Sequence, residues 1–320
     1  MATQSWTSKM VKVLRYSPEH RRIWDDFVST SKNGVFLFYR DYMEYHSDRF
    51  RDNSLLFFRD GKLVGLMPAN VKDNSLYSHG GLTFGGIISG YDMKTPVMME
   101  IFDKLIEYLK EENMIRIVYK AIPHIYHTIP AEEDLYVLFR YNARLIRRDV
   151  TSTVYLRART KFDENRIRTI KRALKNGIVV KKSGDFGTYM KIVEQVLTER
   201  HGVKPVHTCE EIAMLAKRFP DNIKLFASYK EDIMLAGVII YESKNVAHAQ
   251  YIANSSEGTR LGALDIIFDY LINQYYNSKR YFDFGISTEK EGRFLNNGLI
   301  SYKEGFCASA IVHDFYEICI

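Results

Sequence analysis

One order of apolar runs and turns occurs twice in this chain, and that repeat limits its fold more than any other feature. In the first half, residues 55–58 and 63–71 flank the turn Arg59-Asp60-Gly61-Lys62. Asp-Gly between apolar runs is a strong hairpin signal. A polar turn, Lys72-Asp73-Asn74, leads into another apolar run. In the second half, residues 223–228, 233–242 and 246–253 read as three strands, with 229–232 as the first turn. The second strands share a small motif, Leu63-Val64-Gly65 against Leu235-Ala236-Gly237. A helix and a strand follow each meander. Thr95-Pro96 offers an N-cap with proline at the first helical position. Met98, Ile101, Phe102, Leu105, Ile106 and Leu109 then recur at helical spacing, and 115–119 is the strand. Leu264, Ile267, Phe268, Leu271, Ile272 and Tyr275 give the same stripe before the strand at 281–286.

Each half also opens with helices. Ser17-Pro18-Glu19 caps the first, and residues 39–50 read as a second. Asp163 begins a helix over 165–175, residues 186–200 form another, and Thr208 with Glu211 has capping-box spacing for a third. The spacing therefore predicts an α/β (α+β) protein with two similar domains, each a mixed, mostly antiparallel sheet flanked by helices. The expected domains are residues 1–150 and 151–320, joined in the strand-like link at 149–159.

At 320 residues the chain is long enough for two such domains. Its 46% hydrophobic and 26% charged residues support packed cores and exclude wholesale disorder. The three cysteines, Cys209, Cys307 and Cys319, exclude a disulfide scaffold and suit a reducing compartment. The N-terminus lacks the apolar core of a signal peptide, and no run approaches 18 apolar residues. A cytoplasmic protein without a transmembrane segment is expected. The net charge of +6 permits an anionic partner without requiring one.

Several chemistries find no motif. There is no G-x-x-x-x-G-K-S/T, no G-x-S-x-G and no G-x-G-x-x-G. His124 and His127 lack the H-E-x-x-H pattern, and nothing completes a zinc site around His201, His207 and Cys209. No metal is expected.

A meander followed by a helix and a parallel strand is the core order of the GNAT acyltransferase fold. Two such units in tandem resemble the Fem-type aminoacyltransferases, which extend peptidoglycan cross-bridges. The resemblance covers most of the chain. It is strongest at residues 166–180 (RIRTIKRALKNGIVV), 193–205 (VEQVLTERHGVKP) and 281–306, which opens YFDFGIS and closes GLISYKEGF.

The resemblance implies that Tyr302-Lys303 matches an aromatic-lysine pair and that Lys303 lies at the acyl-transfer site. A fixed cation on the carbonyl oxygen is worth roughly 10²–10³ in rate. Without the family, Lys303 reads as a solvated loop lysine paired with Glu304. Asp283 or Glu199 would take the amine proton, although Asp283 equally reads as a strand anchor. Arg200, Lys204 and His207 would hold the diphosphate of a nucleotide-linked precursor. Thr208 stands where the family would place a tyrosine. The plain alternative is a helix C-terminus decorated with basic residues. By resemblance Tyr251 faces the cleft; by pattern it is half-buried core.

Ser256, Gly258, Thr259, Arg260 and Gly262 precede a helix and would offer an anion site to the acyl donor. Their spacing departs from the R/Q-x-x-G-x-G/A loop of CoA-using enzymes, and a plain cap and loop is the alternative. In the first half, the glycine run 78–86 suits close backbone approach or tight bends, with His79 as a polar contact. His46 is the nearest match to a phosphate-reaching basic residue. Residues 151–182 carry ten Lys/Arg against Asp163 and Glu164, which would attract tRNA, a lipid-linked diphosphate or an anionic membrane surface. A solvated helix face explains them equally.

The expected function is transfer of an acyl or aminoacyl group onto an amine of a cell-envelope (peptidoglycan or polysaccharide) precursor. The donor would be acyl-CoA or aminoacyl-tRNA, with no tightly bound cofactor. The partners would be a nucleotide- or lipid-linked precursor, tRNA and, peripherally, the membrane. Alternatives are an acyl-CoA-dependent N-acetyltransferase of another small molecule, or a non-catalytic RNA- or precursor-binding protein on the same fold.

Overall fold

The computed structural model describes residues 10–320, apart from the side chains of Arg200 and His201. Two compact units are present: Met1–Arg148 together with His313–Ile320, and Asp149–Val312. The elements that matter begin with β1 (Val11–Arg15), β2 (Leu55–Arg59), β3 (Lys62–Met67), β4 (Asn70–Lys72), β5 (Ser75–Tyr77), α1 (Thr95–Glu111) and β6 (Arg116–Lys120). Next come β7 (Arg144–Tyr155), α2 (Glu164–Lys175), β8 (Val179–Ser183), α3 (Phe186–His201), α4 (Cys209–Arg218), β9 (Ile223–Lys230), β10 (Ile233–Glu242) and β11 (Val246–Asn254). The chain ends with α5 (Ser256–Leu261), α6 (Ala263–Tyr270), β12 (Tyr281–Ile286), α7 (Asn297–Glu304) and β13 (Ser309–Cys319).

In the first unit β1 pairs antiparallel with β2, and β2 with β3. Asp60 and Gly61, both at positive φ, make the tight turn between β2 and β3. The run expected over 63–71 as one strand is split into β3 and β4 at Pro68, which has no N–H to give a ladder. Asp73 and Asn74, also at positive φ, turn the chain into β5. β5 runs parallel to β6, and β6 pairs antiparallel with residues 315–319 of β13. Met98, Ile101, Phe102, Leu105 and Leu109 of α1 pack onto Leu55, Phe57, Leu76 and Ile117.

The expected helix over 39–50 is not continuous. Only Arg40–Met43 is α-helical, between 3-10 turns at Phe36–Phe38 and Glu44–His46. Tertiary pairing overrides the local pattern here. The buried Arg40 guanidinium meets Asp52 at 2.6 Å and Glu44 at 3.1 Å and lies 3.6 Å from the centre of the Tyr16 ring.

The second unit repeats the pairing order. β8 is antiparallel to β9, β9 to β10 and β10 to β11; β11 is parallel to β12, and β12 is antiparallel to β7. The duplicated order is therefore present in both units, with β10 unbroken where its counterpart is split. Two caps fall where the sequence puts them, whereas in the first unit the expected N-cap Thr95 is already the first residue of α1, behind Lys94, and Pro96 is the second. Asp163 accepts the Arg166 N–H ahead of α2, and Thr208 and Glu211 cap α4 reciprocally. Leu264, Ile267, Phe268, Leu271 and Ile272 face Phe282, Phe284, Ala247 and Val238 in the core.

Candidate acyl-transfer site

β11 and β12 pair at only three positions, Val246, Ala247 and His248 against Tyr281, Phe282 and Asp283. Beyond them both strands are irregular. On β11, Ile239 faces Tyr251 while Ile240 faces Ala249, so Gln250 is an extra, bulged residue. On β12 the register against β7 shifts after Asp283, where Gly285 takes φ +74°. The parallel pair therefore parts just past His248 and Asp283.

The register aligns His248, Asp283 and Thr153 in a row across β11, β12 and β7. Phe282 and Phe284 enter the helix-covered core, so Asp283 between them points to the other sheet face. It is fully buried. It accepts hydrogen bonds from Thr153 Oγ1 at 2.8 Å, from Thr151 Oγ1, and from His248 Nδ1 at 2.6 Å. Toward an ionised Asp283, which has no proton to give, Nδ1 of His248 is the donor. The His248 side chain is 11% exposed.

Lys303 lies in the last turn of α7 and is 3% exposed. Its Nζ donates to the carbonyl oxygens of Gly285 and Ile286, each at 2.8 Å. These are the carbonyls at the β12 irregularity. Burial pushes the Lys303 ammonium down to about 8, with the Asp283 charge opposing the shift. Lysine carries three N–H donors, and two are used here. The solvated loop lysine paired with Glu304 is not what the structure shows: Lys303 is helical, buried and held by backbone oxygens.

Tyr302 and Lys303 part company. Neighbouring helix residues point about 100° apart. The Tyr302 hydroxyl donates to Asp265 at 2.6 Å, and the Arg166 guanidinium lies 4.6 Å from its ring centre while also pairing with Asp265 at 2.9 Å. His207 and Tyr251 do come together. Tyr251 Oη meets His207 Nδ1 at 2.8 Å and accepts its backbone N–H at 3.2 Å. The bulge at Gln250 puts Tyr251 on the same sheet face as His248 in spite of their odd spacing. Lys204 is exposed in the loop after Gly202. Glu199 is exposed on α3, accepting from Gln195 at 2.8 Å. Arg200 belongs to α3, and its side chain lies outside the described residues.

The Ser256–Gly262 segment begins where β11 ends. Ser255 Oγ accepts the Gly258 N–H, and Thr259 Oγ1 donates to the Ser255 carbonyl. Arg260 is exposed, 3.7 Å from Glu257. Gly262 has φ +82°, and a Cβ there would sit 2.6 Å from Thr169 Cγ2, so packing of α2 alone requires glycine. In the first unit His46 and His79 are buried together with ring centres 5.3 Å apart, and burial holds His79 down at about 3.

Sequence reasoning missed His248, Thr151 and Thr153. The one visible signal was a polar residue between apolar neighbours, His248 between Ala247 and Ala249 and Asp283 between Phe282 and Phe284. Strand register, which joins them, is not written locally.

A family model described as acetyltransferase (GNAT) domain matches residues 160–303. Among solved structures, FemX superposes with a TM-score of 0.66 at 13% identity, covering 97% of each chain. The C-terminal domain of a putative lysylphosphatidylglycerol synthetase from Agrobacterium fabrum gives 0.61 at 12% identity over 93% of this chain and 91% of that one. L-PGS from Bacillus licheniformis gives 0.60 at 12% identity over 94% and 91%. No curated protein sequence matches the chain. The chain thus has a tandem GNAT-like fold similar to that of FemX, and its residues 160–303 match the acetyltransferase (GNAT) domain model.

Proposed function

We propose that the protein transfers an acyl or aminoacyl group onto an amine of a cell-envelope precursor, with the transfer site in the second of two GNAT-like domains. The observation that carries this reading is the His248–Asp283–Lys303 cluster where β11 and β12 part, inside the region matched by the acetyltransferase family model. Attack of an amine on an ester or thioester carbonyl places negative charge on the oxygen and a surplus proton on the nitrogen. The third N–H of Lys303 meets the oxyanion, a contribution of roughly 10²–10³ in rate. His248 Nε2 accepts the amine proton and returns it to the leaving thiolate or alkoxide, adding roughly 10²–10⁴. Asp283 orients the imidazole rather than taking the proton itself, since donors already surround it.

Lys204, Arg200, His207 and Tyr251 are assigned to the phosphate end of a substrate. The start of α5 is assigned to the pyrophosphate of an acyl-CoA donor. The fold likeness to FemX, and to a protein whose name describes a lysylated envelope lipid, supports aminoacyl transfer to the envelope. A second reading, an acyl-CoA-dependent N-acetyltransferase of another small molecule, is favoured by the description of the matching family. Thermal-shift and turnover measurements with acetyl-CoA, longer acyl-CoAs, UDP-muropeptide and charged tRNA separate the two. Stabilisation by muropeptide or charged tRNA supports the envelope reading, and stabilisation by acetyl-CoA alone supports the second. No stabilisation and no turnover with any of them would refute both.

A further inference from the structure

Lys161 and Lys171 share a cavity with Phe162, Ile167, Ile170 and Leu174, and we propose that this cavity binds an anionic phospholipid. It lies in the second unit, has a volume of about 790 Å³, and includes none of the residues of the His248–Asp283–Lys303 cluster. Its walls come from the link after β7, from α2 and from the end of the helix around Asp269. Arg157 and Arg159 complete a rim of four cations. Arg159 donates to the Leu156 carbonyl at 3.0 Å, while Arg157, Lys161 and Lys171 have no ion-pair partner among the described residues. The acid in the wall, Asp269, accepts from Asn273 at 2.7 Å. Asn273 sits in the π-helical turn Leu271–Tyr275, an irregularity that often accompanies a binding site.

Two properties in one cavity decide the ligand class. The cations match phosphate. Ile167 and Leu174 are exposed apolar residues on the same face of α2, and with Phe162 and Ile170 they offer a dry wall to methylene groups. A free nucleotide or an RNA backbone would use the cations and leave that wall wet. A phospholipid uses both, with its phosphate at Arg157, Lys161 and Lys171 and the start of an acyl chain along α2. The size suits a headgroup and part of a chain. The ten Lys/Arg of residues 151–182 add long-range attraction to an anionic surface. This inference does not rest on the acyl-transfer reading.

The test is flotation of the full chain with phosphatidylcholine vesicles, with and without phosphatidylglycerol, together with titration of soluble dihexanoyl phosphatidic acid. Wild type is expected to prefer the anionic vesicles by about tenfold or more. Lys161→Gln with Lys171→Gln should remove most of that preference. Ile167→Ser with Leu174→Ser, which leaves the charge unchanged, should weaken binding about threefold or more. All four side chains are exposed, so thermal unfolding should be unaffected. Equal binding to neutral vesicles would overturn the proposal. So would unchanged binding by the serine pair, which would mean diffuse basic charge. Inorganic phosphate or duplex RNA displacing the lipid as well as lipid displaces itself would also overturn it.

Discussion

The Lys303 Nζ donates to the Gly285 carbonyl at 2.8 Å, and the left-handed backbone of Gly285 is what sets that carbonyl in its path. The ideal Cβ position of the same glycine lies 3.4 Å from His248 Cε1. One bulged residue thus stands between the buried cation and the imidazole.

Lys303→Met should lower turnover at least about tenfold, the loss expected for an oxyanion donor, and leave the fold intact. Steady-state kinetics with circular dichroism check it.

The same lysine makes a pH prediction. Its folded pKa is lowered from 10.5 to about 8, so the fold disfavours the charged form. Between about pH 8 and 10.5 the unfolded chain binds more protons, and stability rises with pH. The gain is on the order of 3 kcal/mol, and it should be absent from Lys303→Met in urea melts at pH 7.5 to 10.5, about the span of the two values. The protonated lysine is the stronger donor, so kcat/KM should fall as pH rises through about 8, and that limb should vanish in the variant.

Gly285→Ala places a Cβ where L-residues rarely go. It should destabilise by about 1–2 kcal/mol from backbone strain alone. Activity should fall further than stability explains, because the Lys303 acceptor moves. A variant with full activity at permissive temperature would show that this carbonyl does not position the lysine.

Asp283→Asn should cut turnover by about 10² or more, because the amide can donate to Nδ1 and favour the wrong His248 tautomer. The tautomer is read directly by nitrogen NMR of the imidazole.

Tyr302→Phe separates the adjacent residues. It removes the bond to Asp265 and should cost about 1–3 kcal/mol of stability, with kcat nearly unchanged. A kcat loss matching that of Lys303→Met would return Tyr302 to the reacting atoms.

Much of the fold was legible because its signals are local. Asp60-Gly61 turns a hairpin, Asp163 and Thr208 cap helices, and the stripe from Leu264 to Ile272 faces the core. The helix over 39–50 failed because Arg40 answers to Asp52 and Tyr16, which its neighbours in sequence do not reveal. The lysine at 303 was singled out by resemblance. The Gly285 and Ile286 carbonyls that hold it, and the Asp283 charge beside it, were not, because they come to it only where β12 turns irregular beyond its pairing with β11. The cationic run at 151–182 was visible as charge. Its division into Arg166 facing Asp265 and a cavity rim required the fold.

The most direct test is turnover of wild type and Lys303→Met with acetyl-CoA, longer acyl-CoAs and charged tRNA, each with amine acceptors including UDP-muropeptide. Wild type is expected to form amide with at least one donor, and the variant to lose about tenfold or more of that rate. Amide formation at the wild-type rate by Lys303→Met would contradict this expectation.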